Sequence, residues 1–220
     1  MAETIKTPLV IAIDGPAAAG KGTLAKSLAD KLGLPYLDTG LLYRSIGKRM
    51  QLDGLDLDDP VAATVAAEAL QPADLERPDL RGREAGELAS RVAIHPGVRA
   101  ALVAFQRNFA AGPAGAVLDG RDIGTVICPD ADVKLYVTAS AEVRARRRTD
   151  ELVAKGRTVD YATILSEVKA RDERDSGRAE APLRPADDAA LIDTSDLSPA
   201  EVLARALEIV AARRTERRAG

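Results

Sequence analysis

The chain has 220 residues, 46% of them hydrophobic and 30% charged, with a formal net charge of -3. This suits one domain with a sizeable core and cramps two, and with aromatics at 3% and no Trp, Leu, Val, Ile and Ala must fill that core. A slightly acidic molecule is not drawn as a whole to nucleic acid or to an anionic membrane, and one cysteine, Cys128, excludes an intramolecular disulfide. Neither a leader pattern nor a membrane-spanning run is evident, so the expectation is a cytoplasmic monomer that acts on small molecules, with Cys128 as a small buried thiol.

Short apolar runs alternate with helical patterns, the signature of a parallel sheet buried under helices on both faces. The pattern predicts strands over 9–14, 35–38, 116–119, 133–138 and 190–193. Helices are predicted over 20–32, 40–52, 62–70, 82–94, 97–110, 141–155, 161–174 and 199–214. The fold class is therefore α/β, a three-layer α/β/α domain over 1–220 with a five-stranded parallel sheet. Segments 53–82 and 144–158 read as excursions, the second a mobile lid, from a core of 8–52, 83–143 and 158–214.

The first strand runs into Gly15, Pro16, Ala17, Ala18, Ala19, Gly20, Lys21, Gly22 and Thr23, and a helix follows at once. A strand that ends in a glycine-rich turn and opens a helix points several backbone N–H groups at one spot, and the helix N-terminus adds partial positive charge there. Gly15 and Gly20 permit backbone angles that a side chain forbids, and Lys21 reaches the outer phosphates of a nucleoside triphosphate. The strict pattern ends Gly-Lys-Ser/Thr, whereas here Gly22 intervenes and the hydroxyl falls on Thr23, which points to a magnesium ion held largely by phosphates and water.

Asp38-Thr39-Gly40 precedes a helix that carries Arg44; Thr39 is the expected N-cap, and Arg44, one turn along, is placed for a second anion unless it is only solvated. The third strand ends in Asp119-Gly120-Arg121-Asp122. Asp119 at its tip is the candidate for orienting a metal-bound water, and Arg121 and Asp122 face the crevice or form a local ion pair in a turn. Arg144, Arg147, Arg148 and Arg157 bracket Lys155-Gly156, where a glycine cap makes a hinge for a hairpin closing on a triphosphate; dipole compensation is the alternative. Arg171, Arg174 and Arg178 fall on one helix face if the helix persists, with Asp172 and Asp175 interleaved, either as a binding face or as a solvated ladder of ion pairs. His95 lies far from any strand tip and is not read as catalytic, and the basic run 213–218 reads as a frayed, solvated helix end.

The runs GPAAAGKGT, LDTGLLYR, DGRDIGTVICPDA and RDERDSGRAEAPL together resemble the bacterial cytidylate kinases, of the nucleoside monophosphate kinase group of phosphate-loop proteins. Adenylate kinases typically continue the third strand as Asp-Gly-Phe-Pro-Arg, and shikimate kinases carry Gly-Gly-Gly there; this chain has neither. The resemblance implies an ATP site at residues 15–23 with Mg²⁺, and a CMP or dCMP site formed by Thr39, Arg44, Ser90, Arg99, Arg121, Asp122, Arg171, Asp175 and Arg178. Lys21, Arg121, Arg147 and Arg171 are then the expected catalytic groups, and the metal is met by Asp119 through water and by Thr23. Cytidylate kinases commonly insert a small β-sheet subdomain in the monophosphate-binding region, whereas 53–82 here reads as helix and loop. The alternatives are a kinase for another small acceptor such as UMP, or a nucleotide switch. The second lacks the Asn-Lys-x-Asp guanine signature, since the sole asparagine is Asn108.

Overall fold

The computed structural model describes residues 8–80, 82–177 and 181–219. They form two compact units, one made of the described residues up to Leu37 and from Ala111 onward, the other of Asp38–Ala110.

Strands β1 (Leu9–Asp14), β2 (Tyr36–Asp38), β3 (Gly115–Gly120), β4 (Val133–Thr138) and β5 (Ala190–Asp193) make one parallel sheet in the order β2-β3-β1-β4-β5. The α/β expectation holds, and each strand lies within a residue of its predicted bounds. β1 is the central strand, with Ile11 opposite Val117 on one side and Val133 on the other. Its apolar run is accordingly buried almost throughout, as a strand covered on both faces requires. Because β3 and β4 flank β1 on opposite sides, the chain changes direction across the sheet at β1, and a crevice opens beyond the strands' carboxyl ends there. Asp14, Asp119 and Thr138 stand at those ends.

One sheet face is covered by α1 (Lys21–Leu32) and α8 (Pro199–Ala219). Leu24 and Leu28 from α1, with Val202, Ala206 and Val210 from α8, meet Ile11, Ile13, Leu135 and Ile192 in the main core. Each such aliphatic chain taken from water stabilises the fold by roughly 1.5–3 kcal/mol, which lets a core nearly free of aromatics suffice. A helical hairpin of α6 (Ala141–Ala154) and α7 (Tyr161–Ser176) closes over its own small core of Ala145, Leu152, Ile164 and Val168. Ser140 caps α6 by accepting from the Val143 N–H, and Asp160 caps α7 by accepting from the Thr163 N–H.

The second unit contains α2 (Thr39–Leu52), α3 (Pro60–Glu68), α4 (Arg83–Val92) and α5 (Pro96–Ala110). Two 3₁₀ turns, Pro72–Leu75 and Pro78–Leu80, complete it, so the described part of 53–82 is helix and loop. Leu42, Ile46, Met50, Leu88, Val92 and Leu102 form its core. At Gly47 the helices α2 and α4 come so close that a Cβ would lie 2.8 Å from that of Leu88 and 3.0 Å from the Leu88 carbonyl oxygen, which forces a glycine. His95 is buried here with Nε2 2.8 Å from the Leu57 carbonyl oxygen, a core histidine with its polar need met.

Several local expectations change. Asp38, not Thr39, is the N-cap of α2, and Thr39 is its first helical residue. α3 begins earlier than predicted because Asp59 caps it with Pro60 at the first helical position. α7 ends at Ser176 with Gly177 as its C-cap, and Arg178 lies outside the described residues. α8 runs through the terminal basic run to Ala219 with residues 213–216 exposed, and Cys128 is half-buried rather than enclosed.

Candidate active site

Past Asp14 the chain turns through 15–20 into α1. Gly15 has φ +146°, and a Cβ there would fall 1.9 Å from the Val137 carbonyl oxygen, so only glycine lets the loop pass the end of β4. Ala18 holds φ +62°, a region that costs an L-residue about 1–2 kcal/mol and persists only where the surroundings fix it. Lys21 Nζ donates back to the Pro16 carbonyl at 3.0 Å. Desolvation, with the Arg121 guanidinium nearby, pushes the Lys21 ammonium down to about 8. A cation under that pressure gains most from an arriving anion, and the loop's backbone amides offer the same anion its other contacts.

At the tip of β3, Tyr36 Oη donates to Asp119 Oδ1 at 2.8 Å. The other carboxylate oxygen, Oδ2, lies 3.9 Å from where a Cβ on Gly22 would stand, so Asp119 is held against the first turn of α1. At the tip of β1, Asp14 accepts from the N–H groups of Ile123 and Gly124 at 2.8 and 2.7 Å. It thereby fastens the π-helical turn Ile123–Ile127 that follows Arg121 and Asp122. Burial pushes the Asp14 carboxyl up to about 6, opposed by those two hydrogen bonds.

Arg121 donates through Nε to Asp175 Oδ2, and Arg171 Nε lies 3.9 Å from the same oxygen. Asp175 is 1% exposed, so one buried carboxylate gathers two guanidinium groups, and both raise the positive potential at Lys21. The partner of Arg121 is thus 54 residues away, not a neighbour in a local turn. Nor are residues 171–175 a solvated ladder: α7 turns Arg171 and Asp175 inward, four residues apart, while Arg174 is exposed.

Beside the cradle lies a groove of about 200 Å³ whose walls include Gly20, Thr23, Arg147, Thr194, Leu197 and Val202. Arg147 donates from Nη1 to Thr194 Oγ1 at 2.9 Å and from Nη2 to the Thr194 carbonyl at 2.6 Å. Thr194 Oγ1 donates in turn to the Ala19 carbonyl at 3.1 Å. Arg147 is therefore seated on the exit of β5 at the groove wall, and Arg148 pairs with Glu151 on the surface. Thr194, Asp14 and Tyr36 were not singled out from sequence; the available signal was their position at or beside strand ends.

A sequence profile of the cytidylate kinase family matches residues 11–212. A cytidylate kinase from Xanthobacter autotrophicus is 59% identical over 209 residues, covering 95% of this chain and 100% of its own. One from Paramagnetospirillum magneticum is 58% identical over 208 residues, covering 93% and 99%. The chain belongs to the cytidylate kinase family.

The fold alone is shared more widely. A gluconokinase structure from Sinorhizobium meliloti is similar with a TM-score of 0.52 at 16% identity, covering 94% of each chain. An uncharacterized protein from Eubacterium ventriosum reaches 0.55 at 13% identity, covering 92% of this chain and 98% of its own.

Of the other expected residues, Asp122 is buried just past β3, and the second unit carries Thr39, Arg44, Ser90 and Arg99. Thr39 is buried at the start of α2, and Arg44 Nη1 lies 3.9 Å from Asp38 Oδ2. Arg99 on α5 is buried. Ser90 on α4 is buried too, and its Oγ meets no hydrogen-bond partner among the described residues. A buried polar atom left unmatched costs about 1–3 kcal/mol.

Proposed function

We propose that this protein transfers the γ-phosphoryl group of Mg-ATP to a phosphate oxygen of CMP or dCMP, giving ADP and CDP or dCDP in pyrimidine nucleotide metabolism. The observation that carries the reading is the gathering of Arg121 and Arg171 around buried Asp175 beside the lysine of a phosphate cradle. An acceptor phosphate is already largely ionised near neutral pH, so no general base is required. Catalysis reduces to alignment, exclusion of water and stabilisation of negative charge spread over the transferring group.

Residues 15–23 bind the donor's phosphates, with Lys21 on the outermost, and the adjoining groove receives the donor's nucleoside against Arg147 and Thr194. Arg121 and Arg171 serve the acceptor phosphate, joined by Arg44, while Asp175 orders the two guanidinium groups and contacts the sugar. The family resemblance assigns Thr39, Ser90, Arg99, Asp122 and Arg178 to the rest of the nucleotide. Cytosine offers an exocyclic amine beside ring acceptors, which calls for a carboxylate, Asp122, together with cationic and hydroxyl donors. Uracil would set a carbonyl against that carboxylate, a mismatch that hydrogen-bonded sites reject strongly.

The residues present fit Mg²⁺. Asp119 presents an oriented carboxylate at the start of α1 and Thr23 a hydroxyl, few protein oxygens for an ion that keeps most of its water. When bound, the ion screens the phosphate oxygens. Residues 144–158, most of α6 and the turn after it, are the lid, 53–82 the monophosphate-binding excursion, and the remainder the core. No helix among the described residues is long and apolar enough to cross a membrane. The working state in this reading is a monomer in the cytoplasm without nucleic-acid or membrane partners.

The test is a coupled ADP-release assay over a panel of monophosphates. CMP and dCMP should be turned over in strong preference to UMP, AMP and GMP. Equal use of UMP would make it a broader acceptor kinase, and slow hydrolysis indifferent to acceptor would make it a switch and overturn the proposal.

A further inference from the structure

Arg144 sits in the first turns of α6 and is only 4% exposed. Its guanidinium joins three segments. Nε donates to the Ala139 carbonyl at 2.9 Å, where β4 gives way to α6. Nη1 donates to the Ala17 carbonyl of the cradle at 3.3 Å and to Asp172 Oδ1 on α7 at 2.9 Å, and Nη2 donates to Asp172 Oδ2 at 2.5 Å. Arg144 therefore has no place among arginines that swing toward the transferring charge. A charge this deeply buried is retained only where paired and fully hydrogen-bonded, and here the planar fork meets both a carboxylate and the donor loop.

The geometry of the peptide bond gives these contacts a consequence. In a trans peptide the C=O and N–H point in opposite directions, so an arginine that takes the Ala17 carbonyl turns the Ala18 N–H away from itself. Ala18 is the residue whose φ of +62° needs outside support. The other end of the fork grips Asp172, which directly follows Arg171 and precedes Asp175 by three positions, and so fixes the rotation of α7 about its axis. Resting on the phosphoryl-transfer reading above, we propose that Arg144 is a positioning residue that registers the donor loop against the acceptor-binding face of α7 through the Ala17–Ala18 peptide and Asp172, without touching either nucleotide.

The test compares Arg144→Lys and Asp172→Asn with the wild type in two readouts. One is kinetics per folded molecule over ATP and CMP grids; the other is the backbone amide NMR signal of Ala18 in the protein without nucleotide. Lysine keeps the charge but, as a point donor, cannot span both sites. Asparagine keeps the size at a position whose side chain is 28% exposed, so this variant does not hinge on the tolerance of a buried site. Arg144→Lys should shift the Ala18 amide, raise KM for both substrates and lower kcat by about tenfold to a hundredfold, as loss of alignment does. Asp172→Asn should raise KM for CMP about fivefold while leaving KM for ATP within about twofold, because only α7 is released. A role confined to structure would lower the folded fraction and leave both KM values unmoved. The proposal is overturned if the Ala18 amide stays in place in Arg144→Lys and kinetics per folded molecule match the wild type in both variants. If the wild type failed to phosphorylate CMP, the functional reading would fall, while the Ala18 signal would still decide the role of Arg144.

Discussion

Lys21 carries an unfavourable load in the free protein: its ammonium is desolvated and faces Arg121, which together lower its pKa to about 8. The charged form is thus disfavoured by folding, so Lys21→Ala should hold or raise the melting temperature while cutting phosphoryl transfer by about a thousandfold. A melting scan with a rate assay checks both halves, and a rate near wild type would remove Lys21 from the mechanism. Asp122 is the residue on which base choice should turn. It is 7% exposed and close enough to Asp14 for their charges to repel. Asp122→Ala should reduce the ratio of kcat/KM for CMP over UMP by about tenfold or more. That ratio does not depend on how much of the variant folds, and an unchanged value would take Asp122 out of base recognition.

At the level of elements, the tip of β1 holds the turn after β3. Asp14 binds two N–H groups of the π-helical turn Ile123–Ile127, and so sets where Arg121 and Asp122 begin. Its folded-state pKa, raised to about 6, lies above the value of 3.8 for a free carboxyl, so between these pH values the folded protein binds the extra proton. Stability contributed by this group is therefore present at low pH and lost as pH rises through 6, on the order of 3 kcal/mol. Urea melts of wild type and Asp14→Asn at pH 4 and pH 7 isolate the effect: the gap should move in favour of the variant as pH rises. A gap that does not change would show that the Asp14 carboxyl titrates as an ordinary one. The same clamp explains why the Asp-Gly-Arg-Asp segment did not declare its geometry beforehand, since its partner lies 109 residues earlier in the chain.

Over the whole molecule, legibility followed distance along the chain. The five strands, the cradle at 15–23 and the helix after it were readable because their causes are local: apolar runs of strand length, glycine where φ must be unusual, and the polar residues that close each strand. Errors at that level were local too, as when Asp38 rather than Thr39 proved to be the cap of α2. The sequence also furnished the candidate residues, and the motifs that mark the family. What it left open was which charge meets which. Arg121 with Asp175, Arg144 with Asp172 and the Ala17 carbonyl, and Thr194 with the Ala19 carbonyl of the cradle, are choices among many groups of equal local plausibility. By itself, then, the sequence determined the elements, the phosphate loop and the class of chemistry. Only the tertiary structure decided the pairings, because the strand order β2-β3-β1-β4-β5 brings segments up to 175 residues apart to the same end of the sheet, and no local propensity encodes that crossing.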